Sequence, residues 1–210
     1  LSAVCFIDND IILKLAACNF FWEAVSTLEL SENDLQVLPE AKYVFQGSNK
    51  VKKKYGSIIV ENAINIVERC GKIQLEDDDE EVQQLQQLQI EGIDPGEMLL
   101  ICATRKETSF YLTTGDKRCL TALASHAELE NVRQRLTGRV ICLEQLILKL
   151  IKTQGFDKVL TNVLPARTYD TALKSIFGSG ERATEENVLT SLEGYINDLQ
   201  KNTKGLLIKL

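Results

Sequence analysis

The sequence predicts a three-layer α/β/α domain built on a mostly parallel central sheet, followed by a C-terminal helical extension. Two observations carry this. Short, continuously apolar runs such as "AVCFI" (3–7), "FYLTT" (110–114) and "GRVICL" (138–143) read as strands buried on both faces. Between them apolar residues return at helical spacing, so strands and helices alternate. A third observation is positional: the first two runs end at or just before an aspartate, Asp8 and Asp116, that directly precedes a helix.

In chain order, 3–7 is the first strand and "DIILKLAACNFFWEAV" (10–25) runs at helical spacing as one helix. "DLQVLPEAKYVF" (34–45) reads as a short strand or extended turn interrupted by Pro39, then a helix. "SIIVENAINIVERCG" (57–71) is an amphipathic helix stopped by Gly71. The acidic run 76–81 is expected to be the solvated start of a helix that turns Leu85 and Leu88 inward. "DPGE" (94–97) opens another helix, with Asp94 as N-cap, Pro95 at the first helical position and Glu97 at the capping-box position. The strand "FYLTT", the helix "KRCLTALASH" (117–126), the strand "GRVICL" and the helix "EQLILKLI" (144–151) follow. Beyond about residue 155 the strand signal stops. "TYDTALKSIF" (168–177), "TEENVLTSLEGYINDLQK" (184–201) and "GLLIKL" (205–210), with the loop "GSGE" (178–181), predict helices. The division is 1–152 for the main domain and 153–210 for the extension.

Composition bounds the function. With 210 residues, 44% hydrophobic, the chain fills one ordinary core. A formal net charge of −6 argues against a broadly basic nucleic-acid surface, though not against a local basic groove. No apolar stretch is long enough for a membrane span, and "LSAVCFIDND" lacks the pattern of a signal peptide, so a cytoplasmic protein is expected. Six cysteines without a CxxC pair, beside the single His126, disfavour a zinc site and read as reduced, buried thiols. His-dependent nucleophilic chemistry would have to use His126, in the polar helix end "ASHAELE", which reads as an ordinary surface residue.

In an open parallel sheet, ligands bind at the carboxyl ends of the strands, where Asp8 and Asp116 sit. Glu97 opens the helix before the Asp116 strand and could reach that edge or the opposite one. Taken singly, each acid has a simpler explanation as a helix cap, Asp8 or Asp10 for the first helix, Asp116 for the helix at Lys117, and the "DPGE" box for Glu97. Taken together, carboxylates converging in one crevice repel one another, and a hard divalent cation, Mg2+ or Mn2+, is the usual reason for tolerating that cost.

These residues resemble the PIN-domain nucleases. "VCFIDNDIILKL" is similar to their first motif, a strand ending in Asp followed two residues later by a small polar residue and then an apolar helix. "DPGEMLLICATRKETSFYLTTGDKRCLTAL" resembles their later part, with an acid opening a helix, a strand, then Thr-x-Asp-Lys and another helix. "GRVICLEQLI" matches the closing strand and helix. The resemblance covers roughly residues 3–150, with 30–90 matching only as helical filling. It implies a metal-dependent endoribonuclease binding Mg2+ or Mn2+ and cleaving single-stranded or structured RNA, less often DNA, as a toxin or defence effector. By motif match Asp8, Glu97 and Asp116 would be catalytic and metal-coordinating. Asp10 stands where the family usually has Asn, Ser or Thr and joins the metal set. Glu40, the only acid in "LPEAKYVFQG", would supply the acid expected after the second strand, about a turn early.

Lys117 and Arg118 follow Asp116 and could contact phosphate, and Lys52 and Lys53, with Lys50 and Lys54 in "NKVKKKYG", form the densest positive charge. Solvated helix ends explain them equally well. Arg133, Arg135 and Arg139 could extend the track or form a solvated face, and Trp22 with Phe20 and Phe21 reads as core or interface. The competing reading is a catalytically weak or inactive PIN-like module whose C-terminal helices dock a protein partner or inhibitor; a homo-oligomer fits either. A receiver-like or nucleotide-binding α/β domain ranks third, because no glycine loop follows the first strand and Asp116 and Lys117 are adjacent.

Overall fold

A computed structural model describes residues 3–74 and 80–209. Strands β1 (Val4–Ile7), β2 (Leu35–Val37), β3 (Gly71–Lys72), β4 (Phe110–Thr113) and β5 (Val140–Ile141) form one all-parallel sheet in the order β3-β2-β1-β4-β5. The helices are α1 (Asn9–Ala17), α2 (Phe21–Thr27), α3 (Ala41–Gly47), α4 (Asn49–Arg69), α5 (Glu80–Leu88), α6 (Pro95–Ala103), α7 (Lys117–Ser125) and α8 (Glu130–Leu136). They continue with α9 (Leu143–Gln154), α10 (Phe156–Ala166), α11 (Thr171–Ile176) and α12 (Glu185–Asn202).

The α/β expectation holds, and for its stated reason: Cys5, Phe6 and Ile7 of β1 and Phe110 and Leu112 of β4 are all buried between flanking helices. All six cysteines are buried free thiols, as expected of small hydrophobes in a packed interior. One apolar cluster runs from Cys5 through Phe45 and Leu123 to Val159, Val163 and Leu192, so α10 and α12 share the core of the sheet domain.

Strand order carries the functional consequence. The chain passes from β1 outward to β2 and β3, then crosses back to lay β4 on the other side of β1. Right-handed crossovers place those two sets of connections on opposite faces, so the loops after β1 and β4 diverge and open a crevice between them.

Several local expectations are corrected. The helix expected over 10–25 is two helices: Asn19 takes a left-handed φ of 53°, ending α1, and the turn swings Phe20 and Phe21 into the core. Gly71 does more than stop a helix, because it begins β3 opposite Gln36. A Cβ there would stand 2.5 Å from Gln36 Nε2, so the Gln36 side chain lies folded over Gly71 and would have to move for any larger residue. The helix expected from Ser57 is present, but it is preceded by another: the span Asn49–Arg69 is two helices meeting at Gly56, whose φ of 78° and ψ of 165° are not helical, and the first is capped by the Ser48 hydroxyl accepting from Val51 N at 3.2 Å. Strand β5 is shorter than "GRVICL", since Cys142 already occupies the N-cap of α9. The segment "GLLIKL" is not helical in its described part: Leu207 bridges Val140 in parallel, and Ile208 N donates to Val140 O at 2.8 Å, extending the sheet edge. Leu88 does not turn inward but is 43% exposed, because α5 packs chiefly on α6 and presents this residue to solvent. Of the acidic run 76–81, residues 76–79 lie outside the described residues.

Candidate functional site

Strands β1 and β4 pair in register, Ile7 opposite Thr113, so Asp8 and Thr114 leave the sheet side by side. The Asp8 amide donates to Thr113 O at 3.0 Å. The buried Thr114 hydroxyl donates to Asp8 Oδ2 at 3.3 Å and accepts from the Asp116 amide at 3.1 Å, tying the two strand ends together. Asp116 caps α7, accepting from Arg118 N at 2.8 Å and Cys119 N at 3.3 Å, and its second oxygen takes the Arg118 guanidinium at 2.9 Å.

Helix α6 starts at the same edge. Asp94 accepts from Glu97 N at 2.8 Å and Glu97 accepts from Asp94 N at 2.9 Å, the reciprocal box that "DPGE" predicts. The question of which edge Glu97 reaches is thereby answered. A cleft of about 550 Å³ brings together Asp8, Asp10, Glu40, Asp94, Glu97 and Asp116, with Lys50 and Lys54 also lining it. Glu40 lies at the mouth, exposed at the N-cap of α3, while Asp8 and Glu97 lie deep.

The two deep carboxyls are electrostatically unfavourable. Burial, with further repulsion from Asp10 and Asp94, raises Asp8 to about 7. Burial likewise raises Glu97 to about 8, with Asp94, Asp116 and Asp8 pushing the same way. Asp116 behaves oppositely: burial works against its ionisation, but hydrogen bonds from the Arg118 side chain and the Arg118 and Cys119 amides outweigh it and hold the carboxyl below its usual range. Cys119 faces Glu97, and burial keeps its thiol well above the ordinary value, which removes it as a nucleophile.

Capping accounts for these acids unequally. Asp94 and Asp116 make the expected bonds, and Glu97 completes a box. Asp8 occupies the N-cap position of α1, where its carboxyl faces the Asp10 amide without accepting a well-formed capping bond and takes the Thr114 hydroxyl instead. Beside it, the buried Asn9 Oδ1 has no hydrogen-bond partner. Two buried carboxyls raised by burial and by neighbouring acids, and an orphaned amide oxygen, line the same cleft, and all are oxygen donors of the type that hard cations prefer. Among the described residues no three His, Cys, Asp or Glu side chains stand close enough to hold an ion as they lie, so the arrangement is more open than a ligand shell. Comparison with protein-family models, with curated proteins and with solved structures returns no match.

Other candidates have structural occupations. Asp10 pairs with the buried Lys14 at 2.5 Å. Lys117 pairs at 2.6 Å with Glu144, which is only 3% exposed, and its ammonium lies over the Tyr195 ring. Arg118 remains exposed on the rim. Lys52 and Lys53 are exposed on α4 but do not line the cleft, whereas Lys50 and Lys54 do. Arg135 binds Glu81 and Ile101 O, Arg133 pairs with Glu130, and Arg139 lies over Phe110, so these arginines are engaged in packing. Phe20 and Phe21 are buried, whereas Trp22 is half-buried, lies under the Arg69 guanidinium at 3.9 Å and lines a surface pocket with it.

Sequence reasoning missed Lys14, Glu144 and Asp170. The signal for the first was present: a lysine between Leu13 and Leu15 on an apolar helix, four residues after an acid, is a charge on a buried face that needs a partner.

Proposed function

We propose that the protein is a PIN-like, Mg2+- or Mn2+-dependent endoribonuclease whose site is the cleft between the ends of β1 and β4. The observation that carries this reading is the burial of Asp8 and Glu97 in one crevice, each destabilised by burial and by other acids. Proteins rarely keep such charges without an occupant that compensates them. The cation would be held by Asp8 and Glu97, with Asp94 and Asp116 lining the same cleft. When bound it would supply a lowered water pKa and charge stabilisation at phosphorus.

The chain's own groups do the rest. Thr114 fixes Asp8 relative to Asp116, so the acids approach substrate from a rigid strand edge. Lys50 and Lys54 on the cleft wall and Arg118 on its rim supply positive charge for the flanking phosphates, which a site with this acidic floor needs to admit a polyanion. Glu97, raised to about 8 by burial and neighbouring acids, would give up its proton on taking the cation, so that binding would be tighter at higher pH.

The test is incubation of labelled single-stranded RNA with the protein and Mn2+, Mg2+ or EDTA, beside Asp8→Asn and Asp116→Asn, which keep the size of each side chain and remove its charge. Metal-dependent cleavage by the parent and its loss in Asp8→Asn supports the reading; equal behaviour of all three defeats it. A second reading, a binding module that holds nucleic acid without cutting, is favoured by one observation: Asp116 is fully occupied by α7 and Arg118. It expects retention of labelled RNA with no product in Mn2+.

A further inference from the structure

Asp10, Lys54 and Asp116 line two spaces at once, the acidic cleft and an adjoining groove of about 370 Å³. The groove is completed by Tyr169, Asp170 and Thr171, from the start of α11 and the turn before it, so the C-terminal helices help to form it. Charge distinguishes the two spaces. The cleft sets Lys50 and Lys54 against six acids, whereas the groove sets Lys14, Lys54, Lys117 and Arg118 against three. Those three acids already have cations: Lys14 lies 2.5 Å from Asp10 Oδ2 and 2.7 Å from Asp170 Oδ2, and Arg118 lies 2.9 Å from Asp116 Oδ2. Lys54 is different. It is exposed, its ammonium stands 4.9 Å over the Tyr55 ring, and no carboxylate among the described residues pairs with it.

An aromatic pair joins the two spaces. Tyr55 lines the cleft and Tyr169 the groove, and their rings pack with centroids 4.7 Å apart at an interplanar angle of 34°. Tyr55 is buried, whereas Tyr169 is only half-buried and keeps part of its surface on the groove. A partly open ring held in place by a buried one, beside an unpaired lysine, combines stacking with phosphate attraction, as single-strand binding surfaces do. We propose that this groove holds an unpaired nucleic-acid strand next to the cleft, with a base stacked on Tyr169 and phosphates drawn to Lys54 and Arg118. This rests on the nuclease reading given above and narrows its substrate to single strands, because a base free to stack on a side chain is one that has left its partner. Stacking reads no base edge, so the groove selects strandedness and not sequence. Its acids carry their own cations, so holding the strand requires no metal, unlike cutting it.

The test is fluorescence anisotropy of a short labelled RNA of mixed sequence, in EDTA at low salt, as a single strand and annealed to its complement. The parent is expected to bind the single strand about tenfold more tightly than the duplex. Tyr169→Ala should weaken single-strand binding about tenfold, and Tyr169→Phe, which keeps the ring, should stay within about twofold of the parent. Lys54→Ala should weaken it severalfold and lower the slope of log affinity against log salt by about 0.7, whereas Lys201→Ala, the same charge change on the exposed face of α12, should alter neither. Tyr169→Leu, which keeps bulk against Tyr55, is the second variant should Tyr169→Ala fail to fold by circular dichroism, with the same loss expected. No binding by the parent, equal binding of strand and duplex, or parental affinity in a folded variant without the ring would overturn the inference. The expected pattern with no cleavage in Mn2+ would defeat the nuclease reading and leave the groove standing; cleavage without the pattern would do the reverse. If neither ringless variant folds, the preference for single strands and the Lys54→Ala result decide.

Discussion

Asp8→Asn should stabilise the metal-free protein, and by an amount that depends on pH. Burial and neighbouring acids raise the Asp8 carboxyl from 3.8 to about 7. At 1.36 kcal/mol per tenfold change in proton affinity, that corresponds to about 4 kcal/mol. The unfolded chain ionises this group near its ordinary value, and the folded chain holds the proton until about neutrality. Stability is therefore undiminished below the unfolded value, falls as pH climbs from about 4, and levels off above about 7 with the whole penalty in force. An asparagine carries no such penalty. Urea melts at pH 5 and pH 8 should show the variant's advantage growing by roughly 3 kcal/mol between the two, an upper figure because relaxation and water entry reduce burial costs. Added Mn2+ should raise the parent's midpoint at pH 8 and leave the variant's unchanged. If Asp8→Asn weakens the protein equally at both pH values, the carboxylate is a structural partner and the argument from uncompensated burial fails.

Three further outcomes follow from the same geometry. Lys117→Met strips the buried Glu144 of its cation and should cost about 2–3 kcal/mol, the low end for a broken buried pair because Lys117 is itself partly exposed; adding Glu144→Gln should recover most of it in urea melts. Gly115→Ala forces the buried Asp10–Lys14 pair to shift, with an expected loss of about 1–2 kcal/mol by thermal melting. Phe45→Ala, in a fully buried position beside the cleft, should cost about 3–5 kcal/mol, read from the same urea melts.

What could be read from the sequence was local. A strand-acid-helix pattern lies within a dozen residues, so Asp8, Asp116 and the "DPGE" box were placed by chemistry between near neighbours, and the parallel sheet followed from apolar runs. What could not be read was produced by distant segments meeting. Lys14 and Asp170 are 156 residues apart, and nothing near Asp170 announces more than a helix cap. Glu144 looks like an ordinary first-turn acid until α7 brings Lys117 to it. Strand β3 is two residues long and owes its existence to Gln36 opposite Gly71, too short for any periodicity. Asn19 breaks a continuous helical pattern because burying Phe20 and Phe21 outweighs the cost of a left-handed residue.

The return of Leu206 to Ile208 onto β5 sets an order on synthesis. Those residues emerge from the ribosome only after α12, so until then the outer edge of β5 offers unpaired amides and carbonyls to any neighbouring extended chain. A nascent chain lacking these residues is thus prone to edge-to-edge aggregation, and stalled translation should yield insoluble fragments.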